Sequence, residues 1–261
     1  MVIIRNLFLA YLFLFTSVLS SQNKALVAEY TYSNRSSNRI EVLIANETEG
    51  FYQVLNKKAL EKSTPKTELK DGSYTISGLK NSTFSNFIFL NVSDTLNYSY
   101  LKTQNQEMMV LDEMPKLEWK LLKEDKLIDK YICKKAEVQF RGRKFTAWYA
   151  PEIAVPFGPF KFKGLPGLII NVESTYNGST LYWNLTSLKY DNSIVVPNKS
   201  DFEGKEFTLR EVLTNETNER NDRSKRTLAK MGRGIRQTKV TLERLGAERI
   251  YEWETKNEEN K

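Results

Sequence analysis

Proline and glycine crowd into residues 149–172, and no other stretch restricts the backbone so tightly. Four of the chain's 7 prolines (Pro151, Pro156, Pro159 and Pro166) fall there, with Gly158, Gly164 and Gly167. Proline fixes φ and removes a backbone donor, so such a run is neither a helix nor the middle of a sheet. Leu165-Pro166-Gly167-Leu168 has the signature of a type II turn: proline presets φ at the second position and glycine supplies a positive φ at the third. Leu168, Ile169 and Ile170 follow as a strand leaving that corner. Between Pro151 and Gly164, the apolar Ile153, Phe157, Phe160 and Phe162 alternate with the breakers. A loop this apolar is expected to pack back onto a sheet as a fixed cover.

The residues Gly164, Leu165, Pro166, Gly167, Leu168 and Ile169 spell the motif that names the GLPGLI family, envelope proteins of Gram-negative bacteria. The chain resembles that family over residues 130–173. Cys133-Lys134-Lys135-Ala136, Phe140-Arg141-Gly142-Arg143, the run from Ala147 through Pro151 and Glu152 to Ile153, and Gly158-Pro159 all fit its pattern. Ala154 departs from it, standing where the family commonly has proline; Pro156 can do a similar job. The resemblance implies an envelope protein and carries no activity, cofactor or catalytic residue with it.

Short alternating segments surround the motif. Residues 25–32, 39–45 and 50–55 read as strands, the last two joined by Asn46-Glu47-Thr48-Glu49. Residues 56–82 are polar and lysine-rich and read as a long loop. Apolar segments at 87–92, 96–101, 108–111 and 117–122 recur about every ten residues, as in an antiparallel meander. Residues 131–140 and 144–150 form the clearest hairpin, turning at Arg141-Gly142-Arg143. Ala136, Val138 and Phe140 share one face of its first strand, while Cys133, Lys135 and Glu137 share the other. The second strand has an aromatic on each face, so either two layers cover it or Trp148 lines a groove. Asn177-Gly178, a strong type I′ signal, joins residues 168–174 to 179–189. The fold expected is mainly β: a strongly curved antiparallel sheet, half-barrel or barrel, with short C-terminal helices.

Residues 1–21 have the form of a secretory signal peptide: Arg5, an apolar core from Leu7 to Leu19, and small residues at Ser20 and Ser21. The expected organisation is a signal peptide at 1–21, a β domain at 22–200, and a charged, partly helical segment at 201–261. With the signal removed, no remaining stretch approaches membrane length, and the location expected is periplasmic or secreted. Cys133 is the single cysteine and cannot close an internal disulfide; a buried small hydrophobe is the preferred role. With 0 histidines, the commonest general base and the usual zinc ligand are missing. No cofactor or metal site is implied.

The formal net charge is +7. That balance suits an anionic partner such as lipid headgroups or lipopolysaccharide, or simple solubility; export makes nucleic acid the weakest option. Arg220, Arg223, Lys225, Arg226, Lys230, Arg233, Arg236 and Lys239 stand together against Asp222 alone, with Leu228, Met231 and Ile235 as a narrow apolar stripe.

Three functional readings follow. The first is a non-catalytic envelope protein that binds an apolar or amphipathic, lipid-like ligand or docks onto an outer-membrane transport protein. Trp148, Tyr149, Glu152, Phe157 and Phe160 are its candidate surface residues. The second is a glycosidase-like hydrolase using Glu152 and Glu173, the two carboxylates in the loop and the strand after it. The third, metal handling, has little support without histidine. No residue is assigned a catalytic role.

Overall fold

In the computed structural model the described residues are 25–35, 37–55, 86–102, 107–230, 244 and 246–255. The signal-peptide reading of 1–21, the polar segment 56–82 and the basic stretch beyond residue 230 lie outside them. Twelve strands form one sheet: β1 (Ala25–Asn34), β2 (Ser37–Ala45), β3 (Glu49–Leu55), β4 (Asn86–Asn91), β5 (Leu96–Lys102), β6 (Glu107–Glu113), β7 (Lys120–Ile128), β8 (Tyr131–Phe140), β9 (Arg143–Ala150), β10 (Leu168–Tyr176), β11 (Ser179–Asp191) and β12 (Lys205–Thr208). Two helices follow, α1 (Leu209–Lys230) and α2 (Glu252–Thr255). The expected C-terminal helices are present, although α1 runs to 22 residues.

The sheet order is β12-β6-β5-β4-β3-β2-β1-β11-β10-β9-β8-β7. Two meanders grow outward from β1, which pairs β2 on one side and β11 on the other, both antiparallel. Only β12 runs parallel to its neighbour, β6. The expected meander over residues 87–122 therefore stops at β6. From there the chain crosses to the far edge, where β7 pairs β8.

That crossing fixes the curvature. A flat sheet would separate β6 from β7 by ten strand spacings, roughly 48 Å. Residues 114–119 span the gap, and fully extended they reach only about 25 Å from β6 to β7. The sheet must bend into a trough. It stays open: among the described residues β12 and β7 are its edges. The β7 edge is blunted by Lys120, Lys123 and Lys126 and by a register shift between Leu121 and Asp125.

Asn177-Gly178 makes the type I′ turn expected; the turn at Arg141-Gly142 is tighter than the three residues expected, because Arg143 already pairs Phe140 at the start of β9. Arg141 and Gly142 have φ of 43° and 79°, and Asn177 and Gly178 have φ of 46° and 71°. Two left-handed residues in a row make the type I′ turn that matches strand twist.

Each face of the trough has its own cover. On the convex side, Phe51, Phe87, Phe89 and Tyr100 pack beneath Val196 and Phe202 of the segment after β11. On the concave side lies the proline- and glycine-rich loop.

Candidate functional site

The loop between β9 and β10 is a miniature hairpin. Phe157 and Lys163 form a bridge, Gly158 N–H donates to Phe162 C=O, and Phe162 N–H donates to Pro159 C=O. Phe160 sits at its tip with φ of 58°, an uncommon and strained conformation for an aromatic residue. Packing holds it there: its ring stacks on Trp183 of β11 at 6.2 Å and 16°.

This hairpin reaches strands from both halves of the sheet, which is possible only from inside the trough. Phe157 lies against Leu43 and Gly50, where a Cβ on Gly50 would stand 3.3 Å from the Phe157 ring. Phe162 packs with Phe140 and Phe145 of the β8–β9 hairpin and with Trp183. Trp183 in turn donates from Nε1 to Glu41 Oε2 at 2.7 Å, and Tyr30 donates its hydroxyl to Ile169 C=O at 2.8 Å.

Two lysines on the hairpin point inward. Lys161 Nζ reaches Asp112 Oδ2 and Glu248 Oε1, both at 2.7 Å. Lys163 Nζ donates to Asn91 C=O, Asp94 C=O and Asn97 Oδ1, capping the β4–β5 turn. Burial pushes the Lys163 pKa down, with the charge of Asp94 opposing it.

Lys161 belongs to a buried charge network. Arg141, at the β8–β9 turn, grips Asp112 of β6 and also bonds Glu248 and Glu252 of the C-terminal segment. Arg249 and Ile250 donate their backbone N–H to Arg141 C=O, and the Tyr251 ring lies under its guanidinium. Burial alone would raise the pKa of Asp112, but Arg141 and Lys161 hold it below the usual carboxylate range. Arg143 instead bonds Ser174 Oγ and the carbonyls of Ser174, Ser179 and Gly246.

The sequence candidates divide sharply. Tyr149 is 3% exposed and Phe157 0%, so both are core residues and offer no surface to a partner. Phe160 is partly buried at the loop tip. Trp148 is half-buried on the opposite face, beneath Lys126 and Lys135. Glu152 is exposed at the start of the loop, and the nearby arginines of the β8–β9 turn, Arg141 and Arg143, bond Asp112 and Ser174 among others. Glu173 is exposed on β10 opposite Thr146, five residues along from Leu168, which pairs Ala150. That offset puts Glu173 roughly 16 Å of strand from the end of β9, past which Glu152 stands.

The expected type II turn is a different corner. Gly167 N–H donates to Leu165 C=O at 2.8 Å, closing a three-residue turn about Pro166, while Leu168 N–H goes to Ile153 C=O. Gly167 is needed there because its φ is 147° and a Cβ would lie 2.2 Å from Ala150 O.

Among the described residues no cluster of three or more potential ligands could hold a metal ion, and no helix is long and apolar enough to cross a membrane. Sequence reasoning missed Asp112, Lys161, Lys163 and Glu41. The alternation Phe160-Lys161-Phe162-Lys163 would, in a strand, send the lysines to the face opposite the rings; the turn at residues 159–162 lets both kinds of side chain point inward.

The family model that matches the chain is described as "Protein of unknown function (Porph_ging)" and spans residues 137–171, from β8 through the loop into β10. No curated protein matches the chain. Among solved structures it is similar to PNGF-II in a P21 crystal, at 20% identity and a TM-score of 0.51, over 74% of this chain and 33% of that one. PNGF-II in a C2 crystal matches at 20% identity and a TM-score of 0.49, over 71% and 31%. MucB in complex with MucA(peri) matches at 8% identity and a TM-score of 0.28, over 72% and 58%. The chain thus spans about a third of the PNGF-II chains, and the likeness is one of fold.

Proposed function

We propose that the chain is a GLPGLI-type envelope protein, exported by residues 1–21, that is not a catalyst and works by docking through its outer surface. The observation that carries this reading is the seated hairpin at residues 157–163. Phe157, Phe160 and Phe162 occupy the side of the trough where an apolar ligand would otherwise lie. Of the two roles expected of an envelope protein, ligand carriage and docking, the occupied trough favours docking. Glu173 stands five residues along β10 from the partner of Ala150, and Glu152 stands past the end of β9, a placement that lends a carboxylate-based hydrolase no support.

Two measurements test it. Cell fractionation of the full chain, and of a chain lacking residues 1–21, reads export: the first is expected outside the cytoplasm and the second inside. Native mass spectrometry and organic extraction of the purified protein read carriage, and no apolar molecule is expected to accompany it. A lipid-like ligand recovered in stoichiometric amount would overturn the docking reading.

A further inference from the structure

The two edges of the sheet are unlike. β12 has four residues and runs directly into α1, which packs on β6 beside it. β7 has nine, and nearly all of its side chains are exposed. A long open edge carries a row of unpaired backbone groups, a template for another strand. Apolar side chains collect there too. Among the described residues nine large hydrophobic side chains are exposed, and three stand on the β7–β8 hairpin: Leu121 at 56%, Leu127 at 67% and Ile132 at 63%. Leu127 pairs Ile132, so the two lie side by side on one face.

The pairing of β7 with β8 fixes which backbone groups face out. Ile128 and Tyr131 flank a two-residue turn and so bond to each other. Alternation makes Lys126–Cys133 the next bonded pair and turns the N–H and C=O of Asp125 and Leu127 outward. The other side of β8 agrees. Phe140 and Arg143 flank the β8–β9 turn, so even-numbered residues of β8 bond to β9 and odd-numbered ones to β7. Glu137 therefore bonds Lys120, and Leu121 faces out. The register shift takes four steps along β7 against two along β8, an even difference, so Leu121, Asp125 and Leu127 keep one face. Lys123, midway in the shift, falls with them by alternation.

An antiparallel partner must bond to the outward residues, which are odd-numbered. A second copy then has three central registers. With the two-fold axis at Lys123, that lysine faces its own copy and Leu121 faces an aspartate. With the axis at Asp125, that carboxylate faces its own copy and Lys123 faces a leucine. With the axis at Glu124, Leu121 faces the partner's Leu127 and Lys123 faces the partner's Asp125, each twice by symmetry. Only this register sets apolar against apolar and cation against anion. It extends the row of Ile132 and Leu127 to the partner's Leu121. Asp125 keeps its exposed bond to Lys134 at 3.3 Å, which leaves its other side to the incoming lysine. On the opposite face Glu124 meets the partner's Glu124, but Lys135 of the same chain stands 2.9 Å from it and offsets the repulsion. The lysines and the register shift that blunt this edge against a foreign strand are matched by the same features in a copy.

We propose that β7 is a self-pairing edge: two copies of the chain join antiparallel about a two-fold axis at Glu124, and their sheets run on as one. This goes beyond the docking reading and does not depend on it. A contact made by one strand from each copy is small, so the association is weak and concentration-dependent.

Sedimentation velocity of the purified protein at rising concentration reads the association, and the parent is expected to shift towards a dimer. K123D and D125K each set like charges opposite one another twice. Each is expected to lower association about tenfold or more while keeping the parent's circular dichroism. Mixed in equal amounts, the two variants are expected to associate again. The acid introduced in one then faces the lysine introduced in the other, and the native Asp125 faces the native Lys123. A second readout is covalent. E124C places a thiol about 5 Å from its own copy across the axis, and mild oxidation is expected to link the two chains. K126C stands roughly 13 Å of strand from its copy and is expected to stay unlinked. A parent that stays monomeric would leave the edge to a strand of another protein and overturn the proposal. So would single variants that associate as the parent does, a mixture no better than either variant alone, or equal linking at the two positions. The fractionation and ligand-extraction results stand whatever this test gives, so the self-pairing edge and the docking reading fail separately.

Discussion

Arg141 and Asp112 form a two-pronged, fully buried ion pair, with Nη1 to Oδ2 at 3.0 Å and Nη2 to Oδ1 at 2.7 Å. One residue lies at the β8–β9 turn and the other on β6, near opposite edges of the sheet. The pair joins the two arms of the trough, and Lys161 brings the loop tip to the same carboxylate. Removing one partner from such a network leaves charges buried without compensation. Asp112→Ala is expected to lower stability by about 3 kcal/mol, measured by urea unfolding. A loss no larger than that of an exposed pair, such as Lys134 with Asp125, would show that the arms hold together without this contact.

The two buried carboxylates respond to pH in opposite directions. Asp112 has its folded pKa depressed, so its contribution is present above the unfolded value of about 3.9 and is lost as pH falls through the lower folded value. Glu41 has its folded pKa raised, chiefly by burial, against opposing contributions from Arg39 and Trp183. Its contribution is full below about 4.3 and declines as pH rises through the raised value. Glu41→Gln keeps an acceptor oxygen for Trp183 and removes the buried charge. The variant should equal or exceed the parent in stability at neutral pH, with the difference shrinking on acidification. A clear loss at neutral pH would mean that the Arg39 contact outweighs burial.

Two glycines of the same motif are expected to differ. Gly167→Ala would drive a Cβ to 2.2 Å from the Ala150 carbonyl oxygen, a clash between two backbones. A loss of about 3 kcal/mol or more is expected in thermal or urea unfolding. Gly164 also has a positive φ, 89°, but nothing lies within 4 Å of a Cβ there, so Gly164→Ala should lose roughly 1–2 kcal/mol. Equal losses would contradict the close packing of the corner against β9.

Cys133 is buried among apolar neighbours, and its thiol pKa is pushed up to about 11, first by burial and then by the charge of Glu152. The thiolate is the reactive form. Folded protein near neutral pH should resist thiol reagents that label the unfolded chain fully. Rapid labelling of the folded state would show that the apolar cluster around Cys133 opens.

Much of the sheet was legible because alternation and turn chemistry are local. Asn177-Gly178 and Arg141-Gly142 announced their turns, and Ala136, Val138 and Phe140 declared a buried face. The jump from β6 to β7 was not, since nothing in residues 114–119 says which strand comes next. The charge network was equally hidden. Asp112, Arg141, Lys161 and Glu248 are dispersed along the sequence, and only the curvature brings them together. Tyr149 and Phe157 looked like surface aromatics because the loop that buries them is itself the trough's filling.

Hydrogen exchange of the loop amides tests the seated hairpin most directly. Gly158, Phe162, Gly164, Leu168 and Ile169 all donate backbone N–H groups inside the protein. Their exchange should be as slow as that of the paired amides of β9 and β10. Fast exchange at Gly158, Phe162 and Gly164, with the strands still protected, would mean that the hairpin leaves the trough readily and that the concave side is open to a ligand.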